Sequence, residues 1–132
     1  YRAPELIAQK VWNLAALDVY SAGIILFALK TQTFPFREAT EPGRFSDLEA
    51  FQDSPNEFWK RQCKILNKPD DFFDEDFKEL FKAMTMVDPM YRVGIEGIKK
   101  FNWFKKETLS QDQLVSLIKG GSLLKNLKSH TN

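Results

Sequence analysis

The sequence predicts an all-α fold built around a buried central helix at about residues 18–30. The first observation is an amphipathic pattern, because Phe77, Leu80, Phe81 and Met84 recur at the spacing of one helix face. The second is a capping-box pattern at Ser110–Gln113, which is typical of a helix start. The third is the run at 18–30, which is apolar on almost every side and so predicts a helix enclosed by core.

Composition indicates one compact globular domain. The chain has 132 residues, and its aromatic share of 14% is too high for a disordered segment. The net charge of +1 provides no global field for attracting nucleic acid or an acidic membrane. Cys63 is the only cysteine, so an intrachain disulfide is excluded, and we expect an intracellular, cytoplasmic location.

The first half of the chain is predicted to hold a short helix, the central helix and a loop. Residues 1–7 should form a turn that leads into a short helix, because Pro4 fits the first turn of a helix and Glu5 is favourable near the positive N-terminal end. Asp18 is predicted to cap the central helix. A buried strand at 24–27 is the alternative, against which the length of the run and the Asp cap argue. Residues 31–50 are rich in proline and polar groups and are predicted to form a loop.

The second half is predicted to hold several shorter helices. One or two helices are expected at 51–66, and an amphipathic helix is expected at 74–87, stopping near Asp88 before Pro89. Ile95–Phe101 should form another short helix. The capping box should open a helix that Gly120-Gly121 closes, and residues 122–132 should form a frayed tail.

Direct catalysis by this chain is not predicted. The single histidine, His130, stands in the polar tail, so neither a nucleophilic triad nor a His-Cys metal site has its components. The acidic pairs around Asp70 and Asp74 are interpreted as turn and helix-start residues. The apolar run at 22–29 is too short to span a bilayer, which needs about 20 residues.

Three short motifs occur in a defined order along the chain. They are Ala3-Pro4-Glu5, then Asp18-x-x-Ser21-x-Gly23, then Asp88-Pro89-x-x-Arg92. In their order and separation they resemble the C-terminal lobe of a eukaryotic serine/threonine protein kinase domain, beginning at the Ala-Pro-Glu motif. The resemblance covers residues 1–106, and residues 107–132 are interpreted as a basic helical extension.

The resemblance implies structural roles for particular residues. Tyr1, Arg2, Ala3, Pro4 and Glu5 would form the end of the activation segment. Glu5 would pair with Arg92, whose planar fork suits a carboxylate, and this contact would pin the segment to the lobe.

Further implied anchors lie on the central helix. Asp18 would accept hydrogen bonds from the backbone of the catalytic loop, and Gly23 belongs to the same motif. Ile25 and Leu29 would support the stacked hydrophobic column beneath the adenine. Two departures from the family pattern, Tyr20 in place of Trp and Gly94 in place of a Ser or Thr cap, affect no catalytic group.

The implied parent is an enzyme, whereas this chain alone is not. The parent would transfer the γ-phosphate of Mg²⁺-bound ATP to Ser or Thr of a protein substrate, using motifs upstream of Ala-Pro-Glu. We therefore expect this chain alone to have no catalytic residue and no metal site, and to bind neither ATP nor Mg²⁺. Its expected partners are the protein substrate and the upstream part of the kinase domain, with no nucleic acid and no membrane span. The alternatives are a pseudokinase or non-catalytic docking module, and an unrelated helical interaction domain.

Overall fold

The regular secondary structure of the described part of the chain is all helical. A computed structural model describes residues 2–7, 13–36 and 46–120, and these ranges contain helices and no strand. The predicted all-α fold is therefore confirmed. The helices are α1 (Pro4–Ile7), α2 (Leu14–Thr31), α3 (Ser46–Asp53), α4 (Pro55–Ile65), α5 (Glu75–Met84), α6 (Ile95–Ile98), α7 (Asn102–Lys105) and α8 (Gln111–Lys119).

Helix α2 begins earlier than predicted. Asn13 is its N-cap, and the Asn13 Oδ1 accepts a hydrogen bond from the Ala16 backbone N–H at 3.2 Å. Asp18 is an exposed residue within the helix, so the prediction that it caps the start is wrong. The reason is local, because an Asn is as good a cap as an Asp and here it comes first in the chain.

Helix α2 buries one face rather than its whole circumference. Its buried residues are Ala16, Val19, Tyr20, Gly23, Ile24 and Phe27. On the opposite side Ile25 is 56% exposed and Leu29 is 78% exposed. The prediction of complete burial is therefore wrong for the described part of the chain, in which α5 is the main packing partner of α2.

Gly23 allows α2 and α5 to approach closely. A Cβ atom at this position would lie 3.0 Å from the Met84 Cβ and 3.1 Å from the Thr85 Cγ2. Both residues are buried at the end of α5, and these two atoms lie within two bonds of the backbone, so neither can move aside easily. The absence of a side chain at Gly23 therefore sets the spacing of the two helices.

The core is an aromatic cluster centred on Phe81, which is fully buried. Its ring centroid lies 5.3 Å from that of Phe27 on α2 and 5.4 Å from that of Phe51 on α3. Trp59 on α4 is also in range at 5.5 Å. These separations are typical of favourable aromatic pairs, and they join α2, α3, α4 and α5 into one core.

Helices α3 and α4 occupy the end of the predicted loop and the predicted helical segment that follows it. The loop prediction for 31–50 is wrong at its end, because α3 begins at Ser46, and residues 37–45 lie outside the described ranges. The prediction of one or two helices over 51–66 is borne out by the end of α3 and all of α4. Pro55 occupies the first turn of α4, where its lack of an N–H is harmless.

Helices α5 and α8 start where the sequence predicts. Asp74 caps α5 by accepting the Phe77 backbone N–H at 2.7 Å, and the four predicted apolar residues are buried. The helix ends at Met84, before the predicted stop, because Thr85 turns the chain first. In α8 both hydrogen bonds of the capping box between Ser110 and Gln113 are present, and every residue of the helix is exposed. The predicted frayed tail lies outside the described residues.

By length and composition, α2 could cross a membrane, which the short predicted apolar run did not anticipate. The core helix of a soluble protein can have the same length and composition. A third of the helix is buried against the rest of the protein.

An ion pair fastens the chain after α7 to the start of α5. The Lys106 Nζ lies 3.1 Å from the Asp74 Oδ2 and 3.3 Å from the Asp76 Oδ2. Burial raises the pKa of Asp74, but the Phe77 N–H and Lys106 outweigh it, so the pKa falls below its ordinary value. Hydrogen bonding to Asp74 raises the pKa of Lys106.

We predict that Asp74→Asn lowers the free energy of unfolding by about 0.5 kcal/mol at neutral pH, a small effect because solvent screens this exposed pair. Asn caps as well as Asp, so the difference isolates the charge. A folded-state pKa below the unfolded value stabilises the protein above pH 3.8, and this contribution disappears as the pH falls through the folded pKa. Denaturant titrations of both proteins across this range should converge in acid. If the difference in free energy of unfolding between the two proteins is unchanged in acid, the charge of Asp74 is not its cause.

Candidate functional site

A tight turn after α5 places Arg92 against the end of that helix. The Asp88 Oδ1 accepts the Met90 backbone N–H at 2.8 Å, and the Tyr91 N–H donates to the Asp88 carbonyl at 3.1 Å. The Val93 N–H then donates to the Ala83 carbonyl at 3.1 Å, which returns the chain to α5. The Asp-Pro-x-x-Arg sequence thus reverses the direction of the chain and directs the Arg92 side chain toward the interior.

Arg92 and Glu5 form a buried bidentate ion pair across 87 residues of sequence. The Arg92 Nη1 lies 2.6 Å from the Glu5 Oε1, and the Nη2 lies 2.9 Å from the Glu5 Oε2. The two side chains are 0% and 6% exposed. Parallel N–H···O bonds of this kind are the strongest that a guanidinium makes with a carboxylate.

The remaining guanidinium donors bind backbone carbonyls. The Nη1 also donates to the Ala16 carbonyl at 2.8 Å, while the Nε and Nη2 donate to the Met86 carbonyl at 3.0 and 2.8 Å. A guanidinium has five N–H groups, and these contacts use all of them. Full pairing matters because a buried charge with unmet donors costs several kcal/mol.

Tyr20 forms a wall of the same site. Its ring lies 5.1 Å from the Arg92 Cζ, within range of a cation–π contact. Burial, with a smaller contribution from the negative charge of Glu5, raises the pKa of Tyr20 to about 12, against the lowering effect of Arg92. The phenol therefore stays neutral, and the site contains one cation and one anion.

The other predicted site residues occupy different environments. Ala3 and Pro4 are buried beside Glu5, whereas Arg2 is exposed and Tyr1 lies outside the described residues. Gly23 lies in the contact between α2 and α5.

Asp18, Ile25 and Leu29 form a separate exposed group on α2. No hydrogen bond to the Asp18 carboxylate occurs within the described ranges. The structure therefore brings Glu5 and Arg92 together and leaves these three residues on another face.

The sequence did not indicate that Tyr20 or the Ala16 and Met86 carbonyls belong to this site. Tyr20 follows the motif residue Asp18 by two positions, but its distance from Arg92 depends on how α2 packs against α5. Carbonyl groups carry no side-chain signal. Only the geometric need to satisfy five buried donors indicates that such acceptors must exist.

The site is suited to holding two segments together, not to acid–base or nucleophilic chemistry. Both charged groups are enclosed and mutually neutralised, and within the described ranges no cysteine is hydrogen-bonded to them. Within ranges 2–7, 13–36 and 46–120, no group of three His, Cys, Asp or Glu side chains is arranged to hold a metal ion. The geometry is that of a structural clamp between α1, α2 and the turn after α5.

Comparison with known proteins assigns the family. The protein kinase domain model matches residues 1–104, so the chain belongs to the protein kinase family. This confirms the resemblance to the eukaryotic serine/threonine kinase domain that the three motifs indicate. No solved structure matches the chain.

The chain is similar to several plant kinases. It is 32% identical over 108 residues to CBL-interacting serine/threonine-protein kinase 9 of Arabidopsis thaliana, and 29% identical over 108 residues to CBL-interacting protein kinase 11 of Oryza sativa subsp. japonica. It is 32% identical over 105 residues to serine/threonine protein kinase OSK3 of Oryza sativa subsp. indica. Each match covers 80% of this chain but only 21%, 18% and 18% of the respective relative. The chain therefore spans about a fifth of the length of these relatives.

We predict that Arg92→Ala in the intact protein lowers the free energy of unfolding by about 3–5 kcal/mol, because it leaves Glu5 buried without a counter-charge. The double variant Glu5→Leu/Arg92→Met should lose less than the sum of the two single variants, since it removes both charges together. The single variants of this comparison are Glu5→Leu and Arg92→Met, and denaturant unfolding measures every variant against the natural protein. Lys99→Ala is the matched control, because Lys99 and Glu96 form an exposed pair at 3.3 Å whose loss should cost under about 1 kcal/mol. Additive single-variant losses would contradict the coupling.

Proposed function

We propose that this chain forms the helical base, or C-terminal lobe, of a serine/threonine protein kinase domain. The supporting observation is the buried pair between Glu5 of Ala3-Pro4-Glu5 and Arg92 of Asp88-Pro89-x-x-Arg92. This contact joins two motifs of the kinase resemblance, whereas two unrelated surface charges would not form a buried pair. The intact parent would transfer the γ-phosphate of ATP to Ser or Thr of protein substrates within the cell, in the cytoplasm.

The proposed role of the clamp is to hold the end of the activation segment. Residues 1–5 would be the last part of that segment, and Glu5 would fix it to the helical body. A fixed end keeps the preceding residues, which face the protein substrate, in a defined position. In this proposal Arg92 is a positioning residue, since it contacts neither ATP nor substrate.

The groups that bind ATP and Mg²⁺ are proposed to lie outside this chain. The described residues offer no cluster of metal-binding side chains, so they do not fit a Mg²⁺ site. The kinase machinery that holds the phosphates and metal consists of a glycine-rich loop, a lysine and two metal-binding residues, none of which these motifs include. No residue of this chain is assigned a catalytic role.

The exposed apolar face of α2 is proposed to contact the upstream part of the kinase domain. Ile25 and Leu29 lie one helical turn apart on this face, and Asp18 lies two turns from Ile25 along it. Exposed apolar side chains on a long core helix favour a covering partner. Asp18 would then accept backbone hydrogen bonds from the catalytic loop, as the resemblance implies.

We predict that the intact parent transfers phosphate from Mg²⁺-bound ATP to Ser or Thr of a peptide library, and that the chain of residues 1–132 alone does not. Radiolabelled phosphate incorporation followed by phosphoamino-acid analysis measures both. Arg92→Ala should lower transfer by the parent, whereas Lys99→Ala should leave it unchanged. A folded parent that transfers no phosphate would favour the pseudokinase or docking alternative, and phosphotyrosine as the product would overturn the serine/threonine assignment.

Substitutions at two equally exposed residues show whether the outer face of α2 is covered in the parent. Leu29 and Met90 are each 78% exposed in this structure. We predict that Leu29→Gln lowers the free energy of unfolding of the parent by about 2–5 kcal/mol, as at a buried site. Met90→Gln should change it by under about 0.5 kcal/mol, as at a surface site. Equal small effects, measured by denaturant unfolding, would show that nothing covers α2.

A further inference from the structure

A charged cleft opens on the surface of α4 and the turn that follows it. Its volume is about 590 Å³, within the range of ligand-binding clefts. The charged residues that line it are Lys60, Arg61, Lys64, Lys68, Glu57 and Asp70. Four cations against two carboxylates leave an excess of positive charge in a concave surface, which favours an anionic ligand.

The helix and its C-terminal turn bring the cations together. Lys60, Arg61 and Lys64 are exposed on the side of α4 that faces away from its buried residues. Asn67 then adopts a left-handed conformation with φ 52°, and the Lys68 N–H donates to the Cys63 carbonyl at 2.9 Å. This closure returns Lys68 to the same cleft.

Three of the four cations have no anionic partner in the described part of the chain, and one of these three contacts an aromatic ring. The Lys60 Nζ lies 3.8 Å from the Glu57 Oε1, and both side chains are largely exposed. The Lys68 Nζ lies 5.5 Å from the centre of the Phe72 ring. Arg61 and Lys64 have no carboxylate within ion-pair distance among the residues described, so their charges are available to a ligand.

We propose that this cleft docks an acidic segment of a protein partner, whose carboxylates would bind Arg61 and Lys64. The planar guanidinium of Arg61 suits bidentate binding of a carboxylate, and Lys64 adds a second positive charge one helical turn away. Docking here goes beyond the proposed function, because it requires neither the clamp nor phosphoryl transfer.

Charge decides between the possible occupants. The C-terminal part of this chain carries Lys119, Lys125 and Lys128, so the cleft would repel it. Nucleic acid binding needs an extended basic track, whereas the chain has a net charge of only +1. An acidic protein segment matches both the small size and the modest charge of the cleft.

The test measures peptide binding to the full-length protein that carries this chain. The probe is a fluorescein-labelled peptide with a run of glutamates, followed by fluorescence anisotropy at low ionic strength, and the same peptide with glutamines is the neutral comparison. We expect Arg61→Glu/Lys64→Glu to weaken binding at least about tenfold. Arg61→Lys/Lys64→Arg should retain most of the binding, because it keeps both positive charges and one guanidinium in the cleft.

A matched control separates this cleft from general charge effects. Lys99→Glu/Lys100→Glu makes the same change of charge at exposed positions after α6 and should stay within about twofold of the natural protein. Thermal melting checks that each charge-reversal variant is folded. If Arg61→Glu/Lys64→Glu unfolds, Arg61→Gln/Lys64→Gln takes its place. Absence of binding, equal binding of the glutamine peptide, or equal losses in both reversal variants would overturn the proposal. Tighter binding of single-stranded DNA than of the glutamate peptide would overturn the choice of partner.

Discussion

The structure depends on the desolvated guanidinium of Arg92. A cation removed from water is tolerated only when each of its donors has a partner, and this one uses the Glu5 carboxylate and the carbonyls of Ala16 and Met86. These acceptors come from α1, α2 and the turn after α5, so satisfying one side chain requires three distant segments to converge. The pair thereby specifies an arrangement of segments, which a hydrophobic contact of the same size would leave less defined.

Aromatic packing provides the body to which this clamp is attached. Phe81 brings α5 against α2, α3 and α4, and Gly23 sets how closely α2 can approach α5. Because Ala16 and Tyr20 lie on the same buried face of α2, the packing of the core also brings a carbonyl acceptor and an aromatic wall to Arg92. Core geometry and ion-pair geometry are therefore coupled, and a change in one is expected to alter the other.

The molecule presents two surfaces of different chemistry. The outer face of α2 exposes Ile25 and Leu29 and is apolar, which fits a permanent partner within the same kinase domain. The cleft on α4 is charged and concave, which fits a reversible contact with an acidic partner. In a protein kinase, the first surface would serve assembly of the catalytic domain and the second would serve recruitment.

The order and types of the residues were enough to predict the helical class, the caps at Asp74 and Ser110 and, through the kinase motifs, the Glu5–Arg92 pairing. Those features depend on neighbouring residues or on a recognisable order of motifs. The three-dimensional packing was needed to show that α2 starts at Leu14, that one of its faces is exposed, and that Tyr20 and two carbonyls complete the Arg92 site. An apolar run shows that burial is favourable without showing what covers each face, and a backbone acceptor has no residue type to reveal it. Both are settled by which segments meet in space.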